Sequence, residues 1–283
     1  MGMAAEGEGA AGARSAVTAK PPLSCFMRTK NEERIIEPVL KAARQVSDDI
    51  VVVDSGSTDR TIEIAESLGA RVIRAPWLGF GKQKRIGEEA CKHDWLLDID
   101  ADEELTPDLI EEIKGLFANG EPRYSVYQLR LVTKPDTAPP LWHSAVVKRN
   151  RLYDRRVLRA PDHPEWDQFE VPAGMTIGKL KAPIMHRSWS DLTHLDAKFN
   201  QSSSSRAKNS KLKPFWYVSL RLLFARPFYF FQHYVSRGLW RAGLYGFAIA
   251  SIAAHGRWLK DAKMLEMHLA RRRAEREGQD PRI

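Results

Sequence analysis

The segment Trp95-Leu96-Leu97-Asp98-Ile99-Asp100-Ala101-Asp102-Glu103-Glu104 joins a short apolar run to five carboxylates. Carboxylates crowded at the end of a buried strand repel one another unless positive charge lies among them, and a hard divalent cation with oxygen ligands is the usual solution. Asp100 and Asp102 stand two apart, so in extended backbone both side chains fall on one side and can reach one ion, directly or through a diphosphate. Asp98 shares that side deeper in the strand, while Glu103 and Glu104 can orient the ligands from behind. A further carboxylate, Asp54, ends the run Ile50-Val51-Val52-Val53 and is followed by Ser55, Gly56, Ser57, Thr58 and Asp59. There it can accept hydrogen bonds from a nucleobase imide or a ribose hydroxyl, and the N-terminus of the next helix draws phosphate. Taken singly, both patterns also suit an acidic turn or a helix cap.

The elements that would position these groups alternate. Apolar runs at 23–28, 50–53, 71–74 and 95–99 read as strands, and helical periodicity falls at 32–46, 60–68 and 82–91. That spacing predicts βαβ units, hence right-handed crossovers, a mainly parallel sheet with helices on both faces, and an α/β fold. Open sheets of this kind bind ligands at the carboxyl ends of their strands, where Asp54 and the acidic run lie. Thr106-Pro107 predicts an N-cap and first turn of a helix reaching about Phe117. Beyond it come a strand at 124–132, a proline-rich loop at 134–140 and a basic, partly extended stretch at 145–158. Prolines 161, 164, 172 and 183 exclude long helices, so the region reads as a sheet extension with long loops, an acceptor-side lid.

Four segments in order, Thr29-Lys30-Asn31-Glu32, Val53 to Asp59, Gly79-Phe80-Gly81-Lys82-Gln83-Lys84 and Leu97 to Glu103, resemble the family 2 glycosyltransferases. The nearest branch resembles bacterial lipopolysaccharide core β-glucosyltransferases, and a weaker likeness runs on through 152–156 and 178–188. The resemblance implies a GT-A nucleotide-sugar-binding fold, an inverting transfer from a nucleotide sugar, with a UDP-sugar first among donors, and a Mg²⁺ or Mn²⁺ ion. Carried over by position, Asp54 and Ser55 meet the nucleoside, Asp100 the ribose or metal, and Asp102 the metal, with Lys82 also on the donor. Asn31 and Glu33 would stand at the mouth of that pocket. Removing the acceptor proton needs a carboxylate base. Relatives are expected to supply it from a Val-His-Glu-like segment, where this chain has Asp162-His163-Pro164-Glu165-Trp166-Asp167-Gln168. Aligning back from Gly174 puts Gln168 at the glutamate, and an amide cannot take up the proton, so Asp167 is the first choice of base and Glu165 the second. Arg155 and Arg156 suit a diphosphate clamp or a solvated strand face. His143, His163 and His186 lack the spacing of zinc ligands and read as hydrogen-bonding loop residues.

Length and charge set the outer frame. The 283 residues suffice for one large domain with an appendage. Expected boundaries are a disordered leader at 1–22, a catalytic domain at 23–198 (nucleotide half 23–118, acceptor half 119–198), a linker at 199–213 and a basic, aromatic helical tail at 214–283. The leader has no apolar block that would export the chain. Two cysteines, Cys25 and Cys91, read as buried thiols in a reducing compartment. The net charge is +8, and residues 206–282 alone carry 16 Lys and Arg against 5 Asp and Glu. The basic excess thus belongs to the tail, where aromatics interleave with Arg. Its apolar stretch 238–255 is shorter than the roughly 20 residues that cross a bilayer. Helices lying among lipid headgroups fit this composition, and helices packed on the catalytic domain are the alternative. Bulky apolar side chains exceed what phosphate contact needs, so nucleic acid is not an expected partner. The whole reads as a peripheral enzyme on the inner face of the bacterial cytoplasmic membrane, acting on a glycolipid acceptor. A nucleotidyltransferase would need a Gly-rich basic loop after the first strand, which Thr29-Lys30-Asn31-Glu32 is not; a non-catalytic membrane-surface binder is the other alternative.

Overall fold

The computed structural model describes residues 20–142, 144 and 146–278. Most of the expected leader (1–19), His143, and the last residues of the tail (279–283) lie outside the described residues.

Four strands, β1 (Leu23–Thr29), β2 (Asp49–Asp54), β3 (Arg71–Arg74) and β4 (Trp95–Asp98), run parallel in the order β3-β2-β1-β4. Helices α1 (Ile36–Ala43), α2 (Thr61–Ser67) and α3 (Phe80–Ala90) connect them. Strand alternation sends Leu23, Cys25, Met27, Val52 and Leu97 to the face covered by α1, and Phe26, Val51, Val53 and Leu96 to the face covered by Ile86 and Ala90 of α3. This half is the wound α/β core that the periodicity predicts. Cys25 and Cys91 are free and buried, as expected, and burial pushes both thiols far from ionisation.

The second half makes the sheet mixed. After β5 (Glu103–Leu105) and α4 (Pro107–Leu116), capped by Thr106 Oγ1 accepting from the Leu109 N–H, come β6 (Val126–Thr133), β7 (Val146–Asp154) and β8 (Gly178–His186). The order continues β4-β7-β6-β8-β5, with β7 antiparallel to both neighbours, β8 parallel to β6, and β5 antiparallel to β8. Between the end of β4 at Asp98 and the start of β5 at Glu103 the chain reaches at most about 17 Å. Four strand spacings in a flat sheet would require about 19 Å. The sheet therefore curls, bringing β5 back against α1. Residues 99–102, which carry Asp100 and Asp102, bridge the curl.

The segment 199–213, expected as a linker, is helical through Asn209 within α5 (Leu192–Asn209). Asp191 caps the helix by accepting from the His194 N–H at 2.8 Å. The serine run that reads as a loop is held by one ammonium: Lys263 Nζ lies 2.7 Å from Asn200 Oδ1, Ser203 Oγ and Ser204 Oγ. After it come α6 (Phe215–Phe231), a π turn at 232–236, a 3₁₀ turn at 239–242 and α7 (Gly243–Arg276). α6 and α7 pack antiparallel through Val218 with Met264, a bidentate Arg221–Asp261 pair at 2.9–3.0 Å, and Phe230 on Phe247. Leu239 and Ile249 of the tail share a core with Leu195 of α5, Leu141 and Trp189. Among the described residues no helix is long and apolar enough to cross a membrane.

Candidate active site

At the end of β4 the chain's own cations lie between the carboxylates. Arg151, on β7 and 3% exposed, sits 3.3 Å from Asp98, 2.8 Å from Asp100 and 2.5 Å from Glu103. Lys84 of α3 lies 2.8 Å from Asp98, and Arg28, at the end of β1, lies 3.1 Å from Asp100. Burial raises the Asp100 carboxyl, but Arg151, Lys84 and Arg28 outweigh it and hold Asp100 well below the usual carboxylate range. Asp100, expected at the ribose or metal, is thus engaged by two guanidinium groups. Asp102 is placed differently, with Oδ2 3.1 Å from His186 Nε2 at the end of β8. Burial lowers the His186 imidazole, yet its bond to Asp102 and the charges of Asp102, Glu103 and Asp100 leave it above its ordinary value. Sequence reasoning missed Arg28, Lys84, Arg151 and His186. The one legible signal was a lone arginine entering the buried run Leu152-Tyr153 on β7.

The loops after β1 and β2 are laced together. Asn31, whose φ of 56° is in the left-handed region that Asn tolerates, accepts from the Thr58 N–H at 2.8 Å and donates its own N–H to Ser57 Oγ at 2.9 Å. Glu33 accepts from the Arg60 N–H, and the Glu33 N–H donates to Asp59. Asn31 and Glu33 therefore fix the rim. Asp54, 1% exposed, accepts from the N–H groups of Gly56 and Ser57 at 2.9 Å each and from the Ser57 hydroxyl. It lines a recess of about 470 Å³ with Arg74 and Pro76, and Ser55 joins that recess to a second one.

This second cavity, about 590 Å³, opens over the carboxyl ends of β1 and β4. Asp100, Asp102, His186, Glu32, Lys30 and Lys198 are on its wall. Arg28 Nη1, Thr29 Oγ1 and Ser55 Oγ, all on wall residues, are buried without a hydrogen-bond partner. Burial and the Asp102 charge push Glu32 up to about 7, although Lys198 and Arg34 pull the other way. Among the described residues no three His, Cys, Asp or Glu converge as a closed cage. Asp102 and His186 would offer one carboxylate oxygen and one imidazole nitrogen to a divalent cation such as Mg²⁺ or Mn²⁺.

The glycines of the third motif accommodate a neighbouring loop. The Phe80 N–H donates to Pro164 O at 2.8 Å and the Gly81 N–H to His163 O at 3.0 Å. A Cβ on Gly81 would stand 2.6 Å from Pro161 O and 2.7 Å from His163 O. Lys82, expected on the donor, lies in the first turn of α3, its N–H 3.3 Å from His163 O, and it is Lys84 that is buried. The docked loop carries both base candidates. Asp167 Oδ2 lies 3.3 Å from Arg28 and 3.5 Å from Lys84. Burial raises its carboxyl, but the two cations outweigh that and leave Asp167 below the usual range. Glu165 is exposed on the same loop, its N–H donating to His163 Nδ1. Gln168 Nε2 lies 3.4 Å from Asp167 Oδ1. Arg155 and Arg156 pair with Asp94 and with Asp154 and Glu121. Asp136 of the proline-rich loop pairs with Arg34 and with Arg187, whose N–H donates to Asp102 O, so that loop is tied to the site.

The sequence model described as "Glycosyl transferase family 2" matches residues 24–177, which include every strand end described above except that of β8. An uncharacterized glycosyltransferase of Rickettsia bellii is 35% identical over 87% of this chain and 87% of its own. The lipopolysaccharide core biosynthesis glycosyltransferase LpsC of Rhizobium meliloti is 29% identical over 90% of this chain and 96% of its own. Among solved structures, glucosyl-3-phosphoglycerate synthase of Mycobacterium tuberculosis, in complex with Mn²⁺, UDP and phosphoglyceric acid, is 26% identical over 40% of this chain and 44% of its own, with a TM-score of 0.33. An acidic strand end over a polar cavity and a family match spanning more than half the sequence converge: the chain belongs to glycosyl transferase family 2.

Proposed function

We propose that this glycosyltransferase has the GT-A fold and carries out an inverting transfer from a nucleotide-diphosphate sugar, a UDP-sugar first, to a lipid-linked saccharide such as a lipopolysaccharide core, at the inner face of a bacterial membrane. The observation that carries the donor half is the cavity at the strand ends. It combines an Asp102–His186 pair, rim cations Lys30 and Lys198, and buried polar atoms on Arg28, Thr29 and Ser55 that have no hydrogen-bond partner among the described residues. Groups of this kind, costly when unsatisfied, suit a polar anionic ligand. The adjoining recess at Asp54 takes the nucleoside, and the diphosphate lies toward Asp102. A Mg²⁺ or Mn²⁺ ion on Asp102 and His186 would, when bound, neutralise charge on the departing diphosphate.

The acceptor hydroxyl attacks the anomeric carbon from the face opposite the diphosphate, and a carboxylate on the docked loop takes its proton. Asp167 is that base in our reading, with Glu165 second. Arg28 and Lys84 keep Asp167 ionised but weakly basic, so acceptor binding has to loosen these contacts. The membrane half rests on the tail, where Leu223, Phe224 and Phe228 of α6 are exposed.

Thermal unfolding tests the donor site. UDP at a hundredfold its dissociation constant adds about 2.7 kcal/mol to stability by mass action. We expect that gain to need Mn²⁺ or Mg²⁺ and to vanish in Asp102→Asn. If no nucleoside diphosphate stabilises the protein in a metal-dependent way, the donor assignment is wrong.

A further inference from the structure

Beside the donor cavity lies a second, larger one that the donor does not need. It occupies about 700 Å³ between β6–β7 and the tail, and His186 is common to both walls. Its lining includes apolar side chains, Leu195 and Phe199 of α5, Leu239, Ile249 of α7 and Val147 of β7. It also includes the polar Ser144, Ser188, Ser236 and Arg237. His233, on the π turn and 7% exposed, lines the same space with its Nε2 buried and without a hydrogen-bond partner. Leu141 and Ser144 also line a smaller recess of about 260 Å³ under the proline-rich loop, with Trp142 and Arg241 on its wall. Trp240 and Leu244, close in sequence to the Arg241 and Tyr245 of that recess, are 51% and 90% exposed. Arg237 and Arg241 have no carboxylate partner among the described residues, and Arg241 stacks on Trp240.

We propose that this trench is the acceptor site, and that it takes an anionic, lipid-linked saccharide that enters from the apolar outer face at Trp240 and Leu244. Each part of such an amphiphile meets matching chemistry in order. The hydrocarbon stays at Trp142, Trp240 and Leu244. The anionic linkage meets Arg241 and Arg237. The sugar lies toward His233 and the serines, and its reacting hydroxyl arrives at the His186 edge, next to the donor. The volume is in the range of small-molecule sites, and a lining of both apolar and polar side chains fits an amphiphile better than a free sugar phosphate. The identity of the reacting end rests on the glycosyl-transfer reading above. The trench itself does not.

Dodecyl phosphate, below its micellar concentration, is the probe, titrated calorimetrically into the full chain. We expect one-to-one binding, at least about tenfold tighter than dodecyl maltoside or inorganic phosphate. Ser236→Trp and Val147→Trp, at exposed lining positions on different elements, should each weaken it about tenfold, and so should Arg237→Glu combined with Arg241→Glu. If one tryptophan variant fails to fold, the other carries the same expectation. Leu223→Ser combined with Phe228→Ser, which alters only the outer face of α6, should bind the probe as wild type does. Equal affinity for dodecyl maltoside, undiminished binding in the trench variants, or loss in the α6 variant would each overturn the proposal. UDP with Mn²⁺ is titrated in parallel: its failure to bind would count against the donor reading, while dodecyl phosphate alone decides the trench.

Discussion

Arg151 decides how the acidic strand end works. Asp98, Asp100 and Glu103 would repel one another in the interior, and a single guanidinium with Lys84 and Arg28 offsets that repulsion. The carboxylate cluster is therefore neutralised chiefly from within, while Asp102 pairs with His186 instead. Removing one partner from a buried ionic group leaves the rest uncompensated, typically at a cost of about 3–5 kcal/mol. We expect Arg151→Met to lose stability on that scale in urea denaturation; a loss under about 1 kcal/mol would mean that Lys84 and Arg28 suffice. Asp167 is the contrasting case, at the edge of the same network. If it is the base, Asp167→Asn should cut kcat by roughly 10²–10⁴ while UDP affinity stays within a few fold. Turnover near wild type would pass the role to Glu165.

At the scale of elements, what the sequence made legible was whatever depends on local pattern. The four parallel strands, α3 and the Thr106 cap fall where periodicity and capping chemistry put them. Motif spacing likewise located Asp54, Asp100 and Asp102 at strand ends over a common cavity system. Long-range pairing was not legible. Nothing near Gly79 or Gly81 announces that residues 161–166 lie on their backbone, and nothing near Asp102 announces His186, which the sheet curl delivers from 84 positions away. The serine run of α5 misled because its partner, Lys263, lies on another helix. The π turn adds an element-scale expectation. His233 is buried against Arg237 and Arg257; burial first, then these two charges, pull its imidazole down to about 4. The folded state thus binds fewer protons here than the unfolded chain between pH 6.5 and 4. Its contribution to stability is complete above 6.5 and is lost as pH falls toward 4. The drop in melting temperature from pH 7.5 to 5 should be smaller in His233→Gln than in wild type. Equal drops would show that His233 does not titrate in that window.

The whole molecule turns an apolar face outward. Along α6 and the turn after it, Trp216, Leu220, Leu223, Phe224, Phe228, Phe231 and Val235 recur at helical spacing and are each at least half exposed, while Val218 and Ala225 face α7 and the interior. Trp240, Leu244 and Phe247 extend this stripe past the turn. The alternative reading of the tail's composition, packing on the catalytic domain, is realised on its inner side through Leu141 and Trp189, while these outer side chains are exposed. So large a contiguous patch marks an interaction surface. Lys211, Lys213, Arg226, Arg237 and Arg241 are near these residues in sequence, and we propose that this combination of apolar and cationic side chains meets an anionic bilayer. We expect the full chain to sediment with vesicles of phosphatidylglycerol and phosphatidylethanolamine. Fully burying one Leu or Phe side chain is worth about 1.5–3 kcal/mol. Even half-depth insertion of two such side chains is then worth at least about tenfold in partitioning, which Leu223→Ser with Phe228→Ser should remove. Raising salt to about 0.5 M should weaken binding by screening the cations without abolishing it. Binding abolished by salt alone would make the contact purely electrostatic, and a salt-independent dimer that disappears in the serine variant would instead assign the stripe to a second copy of the chain.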